Sequence, residues 1–562
     1  MINDSPFLLL VIKSFSRLFL VLLTPVAIFI PAGCDTQTNN SIEVRIWDEQ
    51  KQPTAARVRV TDLKGNYLAP NGHVENFPMT TSGDQEPVEQ DVILDQQRRF
   101  AYVDGAFEIS TSLDSLQIEV VKGFHYKIFN EKLPLSQPEK GIDINLVQAF
   151  EDLPNDNWYT GDVHVHHINA ESALLEMRAE DLNVCNLLIS DFTLDHDQFK
   201  GQPEPISDDK HIVFYNQEYR ENRLGHINLL NLTKHLIEPV KTQREHQYPL
   251  NIEAMDQAHA QNGHVSWAHF AAWPGLEGPL AVIMKKVDAV ELLCTIDPFH
   301  EPIFTSDVVP EVHLNPGLKL WYRLLNCGFR IPATAGTDKM GNFVTVGANR
   351  TYALLQDDFN YQHWIDALNE GRTFVSNSPF LLFEVEGAAP GSVKKALPGE
   401  VMTLRAQVWS QMPLDRLEIV ANGELIAETP IQAGENYMSI EIPYQVNSST
   451  WLAARAYQLT LEQKRKGLSL SQRRNQGGGP TELNRYYGTL RPEATFAHTS
   501  PVYIEIEKRP MRSIADADYF VQYLQNVITW LDTSGSFPSP EAKKEVLEAF
   551  EKGKRGFEQL TE

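Results

Sequence analysis

The hydrophobic period changes twice along this chain, and those changes limit its fold more than any motif does. From Ser41 the period is two: Ile42, Val44 and Ile46 alternate with Glu43 and Arg45, and Val58 and Val60 with Arg57 and Arg59. Such alternation sends side chains to opposite faces of a strand, one towards a core and one towards water. With turn signals at Asp104-Gly105 and Lys122-Gly123, residues 42–150 read as an N-terminal β-sandwich. After Pro379 the period of two returns in Met402, Leu404, Ala406 and Val408, and Asn422-Gly423 marks a hairpin, so residues 381–510 read as a C-terminal β-sandwich. Gly477-Gly478-Gly479-Pro480 falls in a loop inside it.

Between these parts, residues 151–380 alternate apolar runs with helix-like stretches. Val184–Ile189, His211–Tyr215, His264–Trp267, Val287–Leu293 and Ile331–Ala335 predict buried parallel strands. Leu174–Leu182, Ile252–Gln261, Leu318–Asn326 and Tyr361–Asn369 predict helices. The alternation predicts an α/β domain, and its seven or so strands a barrel whose functional groups collect at C-terminal strand ends. Residues 511–562 read as C-terminal helices, with one stripe of Ile514, Phe520, Leu524, Val527, Ile528 and Leu531 and a last helix opening at Ser539-Pro540.

The first residues have another character. Lys13 and Arg17 precede the apolar run Leu18 to Pro31, which ends in Ala32-Gly33-Cys34. Residues 1–33 therefore read as a lipoprotein-type signal peptide, Cys34 as the lipidated residue and 34–41 as a tether. Pro31 departs from the usual lipobox, and a plain cleaved signal or an uncleaved anchor are the alternatives. The expectation is an exported protein of the bacterial cell envelope, facing the periplasm and touching the membrane only through its lipid. Cys185, Cys294 and Cys327 are widely spaced and read as buried thiols. A net charge of −25 argues against a nucleic-acid partner, because phosphate backbones are bound by a surplus of lysine and arginine.

Asp162-Val163-His164-Val165-His166 puts three ligand-type side chains on one face of a strand. Further such residues recur where strands end: Glu218 after Tyr215, His226 in Leu224-Gly225-His226-Ile227-Asn228, His269 after Trp267, and Asp338 closing Thr334-Ala335-Gly336-Thr337-Asp338. Singly each has a structural alternative, a helix cap or a core histidine. Together they point to a metal site.

The order of these motifs resembles the PHP (polymerase and histidinol phosphatase) superfamily, and within it the CehA/McbA-type metallohydrolases. Trp158-Tyr159-Thr160-Gly161-Asp162-Val163-His164-Val165-His166 is similar to the family's opening GDLHxH strand. Gln217-Glu218-Tyr219, Gly225-His226-Ile227-Asn228, Trp267-Ala268-His269, Val287 to Glu291, Ala335 to Asp338 and Gly371 to Val375 follow in family order. The resemblance implies a central PHP-like distorted α/β barrel. It implies two divalent metal ions: one held by His164, His166, Glu218 and Asp338, the other by Glu218, His226 and His269, with Glu218 shared. A third ion's histidines are absent, since those positions read Ser172, Phe192 and Met340; His196 is a remote substitute.

Histidine and carboxylate ligands without thiolate suit zinc, manganese or iron. Two ions about 3.5–4 Å apart share a water and lower its pKa towards neutrality. The expected activity is hydrolysis of a small-molecule carboxyl or carbamate ester, with a phosphoester as the alternative bond and a non-catalytic, metal-stabilised envelope protein as the rival from another class. Asp162 is the candidate for orienting a histidine or accepting a proton. Lys339, before Arg350 and Arg372, is the candidate for an oxyanion, and Trp267, Phe270 and Trp273 for a substrate wall with Arg372.

Overall fold

A computed structural model of the chain describes residues 40–81, 84–95, 97–135, 140–190, 196–238, 246–270, 275–294, 317–430, 434–458, 485–486, 495–507, 509 and 511–562. The expectations for the signal peptide, Cys34, Trp273, Phe192, the glycine run and the His196 side chain lie outside the described residues. The described chain is multidomain and mostly β, with seven helices.

Ten strands open it: β1 (Asn40–Trp47), β2 (Ala55–Thr61), β3 (Asn76–Thr81), β4 (Asp84–Glu89), β5 (Val92–Leu94), β6 (Arg98–Asp104), β7 (Ala106–Thr111), β8 (Ser115–Val121), β9 (Phe129–Pro134) and β10 (Ile142–Asn145). A sheet of order β10-β1-β7 faces one of order β5-β6-β2-β8-β9. The alternating Val44, Ile46, Val58 and Val60 meet between them with Phe107, Ile118 and Val120 in one core. The β3–β4 hairpin leaves this sandwich and packs Phe77 and Met79 against Ile168, Leu174 and Met177 of the next part.

Nine strands follow: β11 (Trp158–Val165), β12 (Val184–Ile189), β13 (Ile212–Glu221), β14 (Gly225–Leu230), β15 (His264–Trp267), β16 (Ala289–Leu293), β17 (Ala333–Ala335), β18 (Arg350–Leu354) and β19 (Thr373–Ser376). They form one curled sheet in the order β17-β16-β15-β14-β13-β12-β11-β18-β19. β11 to β12 to β13 and β15 to β16 to β17 run parallel, whereas β14 is antiparallel to both its neighbours. An uninterrupted βα alternation fails there because β13 turns straight back into β14 at Gly225, whose φ of 125° suits a glycine alone. Beyond β17 the chain bonds back to β11, with Asp338 N–H donating to His164 O at 2.8 Å and His166 N–H to Lys339 O at 3.0 Å.

Five helices serve this part: α1 (Ala170–Glu180), α2 (Asn251–His259), α3 (Gly278–Ile283), α4 (Gly317–Asn326) and α5 (Tyr361–Glu370). Asn169 starts α1 four residues before the apolar pattern predicts, because its side chain accepts from Ser172 N–H as an N-cap. α1 lies between the N-terminal sandwich and the curled sheet, and α5 sets Trp364 against Gly161, where any β-carbon would collide with the indole.

The last strands are β20 (Phe380–Val385), β21 (Val393–Ala396), β22 (Glu400–Trp409), β23 (Arg416–Ala421), β24 (Glu424–Pro430), β25 (Tyr437–Val446), β26 (Thr450–Tyr457), β27 (Phe496–Thr499) and β28 (Val502–Ile506). The sheet β20-β22-β25 faces β23, β26 and β27 across a core containing Phe383, Leu404, Ile419 and Leu452. That second layer is no separate sheet, since β27 pairs with β19 and continues the curled one. Asn422 and Gly423, at φ 53° and 86°, make the two-residue hairpin between β23 and β24. Helices α6 (Ile514–Ser534) and α7 (Pro540–Glu558) pair through Phe520 and Phe557 and bury Val546 and Phe550.

Candidate metal centre

Six side chains named from the sequence converge at one end of the strands of the curled sheet. His164 is the last residue but one of β11 and His166 follows that strand; Glu218 lies in β13, His226 is the second residue of β14, His269 follows β15 and Asp338 follows β17. β14 contributes from its start because it runs antiparallel, so its N-terminal end meets the C-terminal ends of its neighbours. All but Asp338 are buried, and Asp338 keeps 16% of its side chain exposed.

Glu218 stands between two sets of imidazoles. Its Oε2 lies 3.2 Å from His166 Nε2, while its Oε1 lies 3.0 Å from His226 Nδ1, 3.4 Å from His269 Nε2 and 3.8 Å from His164 Nε2. Asp338 Oδ1 closes the first set at 3.5 Å from His164 Nε2 and 3.9 Å from His166 Nε2. His269 and Asp338 present these groups from left-handed backbone, at φ 30° and 49°, a conformation side-chain-bearing residues rarely adopt without tertiary support.

The outer hydrogen bonds decide what the inner nitrogens can do. His166 Nδ1 donates to Leu188 O at 2.8 Å, and His164 Nδ1 donates to the Glu291 carboxylate at 3.1 Å. With Nδ1 so engaged, each ring turns its Nε2 inward, and those two Nε2 atoms are 3.0 Å apart. His226 Nδ1 and His269 Nε2 approach to 3.2 Å beside Glu218 in the same way. Lone pairs so placed repel unless a cation or a proton lies among them. Ligand atoms of His164, His166 and Glu218, of His164, His269 and Asp338, and of Glu218, His226 and His269 each lie within 4.8 Å of one another, the span a metal ion requires.

The electrostatics agree. Burial opposes a charged imidazole at His164, but the carboxylates of Glu291, Asp338 and Glu218 outweigh it and hold its pKa up, to about 10. Burial also opposes ionisation of Glu218, yet the Arg220 guanidinium and His226 keep its carboxyl well below the usual range. Burial pushes His226 down to about 4, so it is a neutral, ligand-ready ring at physiological pH.

Glu291, in the middle of β16, was no candidate ligand, although it stands in the motif Val287 to Glu291. It accepts from His164 Nδ1, from Asn228 Nδ2 at 3.4 Å and from His269 N–H, so it orients two ligands at once. Gly336 permits this, because a β-carbon there would collide with Glu291 and His164. A charged residue inside an otherwise apolar buried run is the signal that identifies it. Arg220 was missed too: two residues beyond Glu218 on the same strand face, it brings Nε to 3.5 Å from Glu218 Oε2.

Three other expectations need correction, and of the two roles expected of Asp162 its contacts support orienting His164 rather than accepting a proton. The Asp162 carboxylate accepts from the backbone N–H of His164 at 3.0 Å, Thr337 at 2.9 Å and Gly347 at 2.8 Å and from the Thr337 hydroxyl, so it ties β11 to the loop after β17 and has no lone pair to spare for a reacting group. Burial raises its pKa to about 6. Lys339 turns away from the cluster and donates Nζ to Val344 O at 2.6 Å, with Glu176 3.5 Å distant. Arg372 binds Leu354 O and Glu370 beside a cavity of about 340 Å³ that also touches Pro332; Pro332 precedes β17 and Asp338 follows it, which puts Arg372 at the opposite end of the sheet. Trp267 is packed edge to face on Phe270 at 4.8 Å, with Gly275 and Gly278 against its ring, and is core rather than pocket wall.

Of the third-site positions, Ser172 lies in the first turn of α1 and Met340 is 37% exposed. The three cysteines among the described residues are buried, and Cys294 brings its thiol near His164 and Glu291. No protein-family model matches the chain, and no curated protein matches it.

Proposed function

We propose that this protein is an exported binuclear metal-dependent hydrolase of the PHP type, acting on a carboxyl or carbamate ester. The observation that carries the reading is the pair of inward-turned Nε2 atoms of His164 and His166, 3.0 Å apart, with the two oxygens of Glu218 directed to different imidazole sets. In this reading the curled sheet is a PHP-like barrel opened on the β18 side, and the bond from Asp338 to His164 is its closure.

His164, His166, Glu218 and Asp338 would hold one divalent ion and Glu218, His226 and His269 the other, zinc, manganese and iron all suiting such nitrogen and oxygen ligands. When bound, the ions supply Lewis acidity and a water acidified towards neutral pH. The chain's own residues do the rest. Glu291 fixes the tautomer of His164 and the backbone of His269. Leu188 O fixes that of His166. Arg220, 22% exposed with Nε 3.5 Å from Glu218, would supply positive charge for an oxyanion formed by attack on a carbonyl. Because the same guanidinium suits an anionic substrate, a phosphoester is the second reading.

The test is metal content measured beside hydrolysis of p-nitrophenyl acetate, a carbamate ester and p-nitrophenyl phosphate. Turnover of the first two that falls with chelation supports the ester reading, and turnover of the third alone supports the phosphoester. Two bound ions with all three substrates and a wider ester panel untouched would leave a metal-stabilised binding protein. Anchoring through Cys34 is a separate proposal, checked by mass spectrometry of membrane-extracted protein and refuted by an unmodified Cys34.

A further inference from the structure

Among its described residues the N-terminal sandwich supplies none of the candidate ligands, yet it reaches the loop that presents Asp338. Glu176 and Glu180 stand one turn apart on α1, and both are buried. Glu180 turns towards the sandwich, where Arg57 Nε donates to it at 2.5 Å. Glu176 turns both ways. Gln90 Nε2 donates to its Oε1 at 3.1 Å, while its Oε2 accepts from Val346 N–H at 3.3 Å and lies 3.5 Å from Lys339 Nζ.

The far side of the same loop is held as well: Ile93 N–H donates to Asn342 O at 2.7 Å, and Asn342 Nδ2 to Glu89 Oε2 at 2.7 Å. Asp338 and Lys339 leave the backbone in opposite directions. The carboxylate of one lies 3.5 Å from His164 Nε2, and the ammonium of the other lies 3.5 Å from Glu176. Glu176, together with Val344 O on the same ammonium and the backbone bonds of Asp338 and Lys339 to β11, therefore fixes where Asp338 stands.

We propose that Glu176 is a positioning residue for the metal centre: with Gln90 behind it, it holds Lys339 so that Asp338 meets the ion bound by His164 and His166. The N-terminal sandwich is then part of the frame of the centre. This rests on the two-ion reading above. An ammonium buried without its carboxylate is costly, and movement of the loop that carries Lys339 and Asp338 relieves that cost when Glu176 loses its charge. The effect falls on one ion, because Asp338 belongs to one ligand set only.

The experiment strips the full chain with chelator and titrates it with Co2+, reading equivalents bound and the visible d–d absorption. Glu176→Gln is expected to weaken one ion by about tenfold or more, the usual cost of losing an outer partner, while the other keeps wild-type affinity and its band. A folded Glu176→Gln protein that binds both ions as the wild type does, or loses both in parallel, overturns the proposal. Should that variant not fold, Gln90→Ala leaves the charge pair intact and is expected to weaken the same ion by a smaller factor; wild-type affinity for both ions there overturns it. A wild-type chain that takes up no Co2+ overturns the two-ion reading itself, and this proposal with it.

Discussion

Two buried charge clusters lie on either side of Lys339, and they balance their charge differently. On the α1 side each carboxylate has a cation: Glu180 has Arg57, with Tyr102 Oη donating to the same oxygen at 3.2 Å, and Glu176 has Lys339. On the other side three carboxylates, Glu218, Glu291 and Asp338, gather with four imidazoles, and among the described residues Arg220 is the one guanidinium paired with them. Glu218, Glu291 and the four imidazoles are as deeply buried as Glu176 and Glu180, so burial alone does not distinguish the two clusters. The distinguishing feature is the sign left over. A structural cluster closes its account with side chains, whereas the cluster at the strand ends needs cations or protons from outside.

The largest test of that contrast is Glu218→Gln. It should remove both ions together and lower hydrolysis by on the order of a thousandfold, because a shared ligand serves both sets. Metal analysis showing full occupancy in the variant would break the assignment of Glu218. Next comes Arg57→Met, which strands Glu180: chemical denaturation should show a loss of about 3 kcal/mol, with the metal equivalents of the folded protein unchanged. If metal went with Arg57, the two clusters would be one. Glu291→Gln is expected to weaken metal binding by about 10- to 100-fold without unfolding the chain, as loss of an outer partner does; titration against a competing chelator measures it.

A smaller effect concerns pH. His125, bonded to Tyr352 at the seam between the N-terminal sandwich and the curled sheet, is pushed by burial down to about 4 from an ordinary 6.5, and burial takes His498 down to about 3. Folding keeps both neutral. That stability is complete above the unfolded value of about 6.5 and is lost as pH falls through 6.5 towards 4. Melting temperature measured from pH 7.5 to 5 should fall, and His125→Gln should flatten the slope. An unchanged slope would show that the seam carries none of the acid sensitivity.

The parts of this molecule that could be read from its sequence are those where one rule acted alone. Val184–Ile189 and His264–Trp267 are strands at the predicted bounds, and every residue of both is buried. The Asn422-Gly423 hairpin and the Ser539-capped last helix follow from local backbone chemistry. The strand Gly225–Leu230 was not predicted as one, because His226 and Asn228, which serve the centre, interrupt its apolar pattern. The same polar residues that reveal the site conceal the element carrying it. The six ligand-type residues were legible because imidazoles and carboxylates at strand ends have few structural uses. Lys339 was misread for the opposite reason. A cation next to a candidate ligand in sequence can leave the backbone on its other side, and no pattern in one sequence tells which.

The central claim is that the cluster around Glu218 requires cations. Titrating chelator-stripped wild-type protein with Zn2+ or Mn2+, while following both equivalents bound and melting temperature, tests it most directly. The account predicts two equivalents per chain and a melting temperature that rises as they bind. No uptake, with the same melting temperature in chelator and in excess metal, would contradict it.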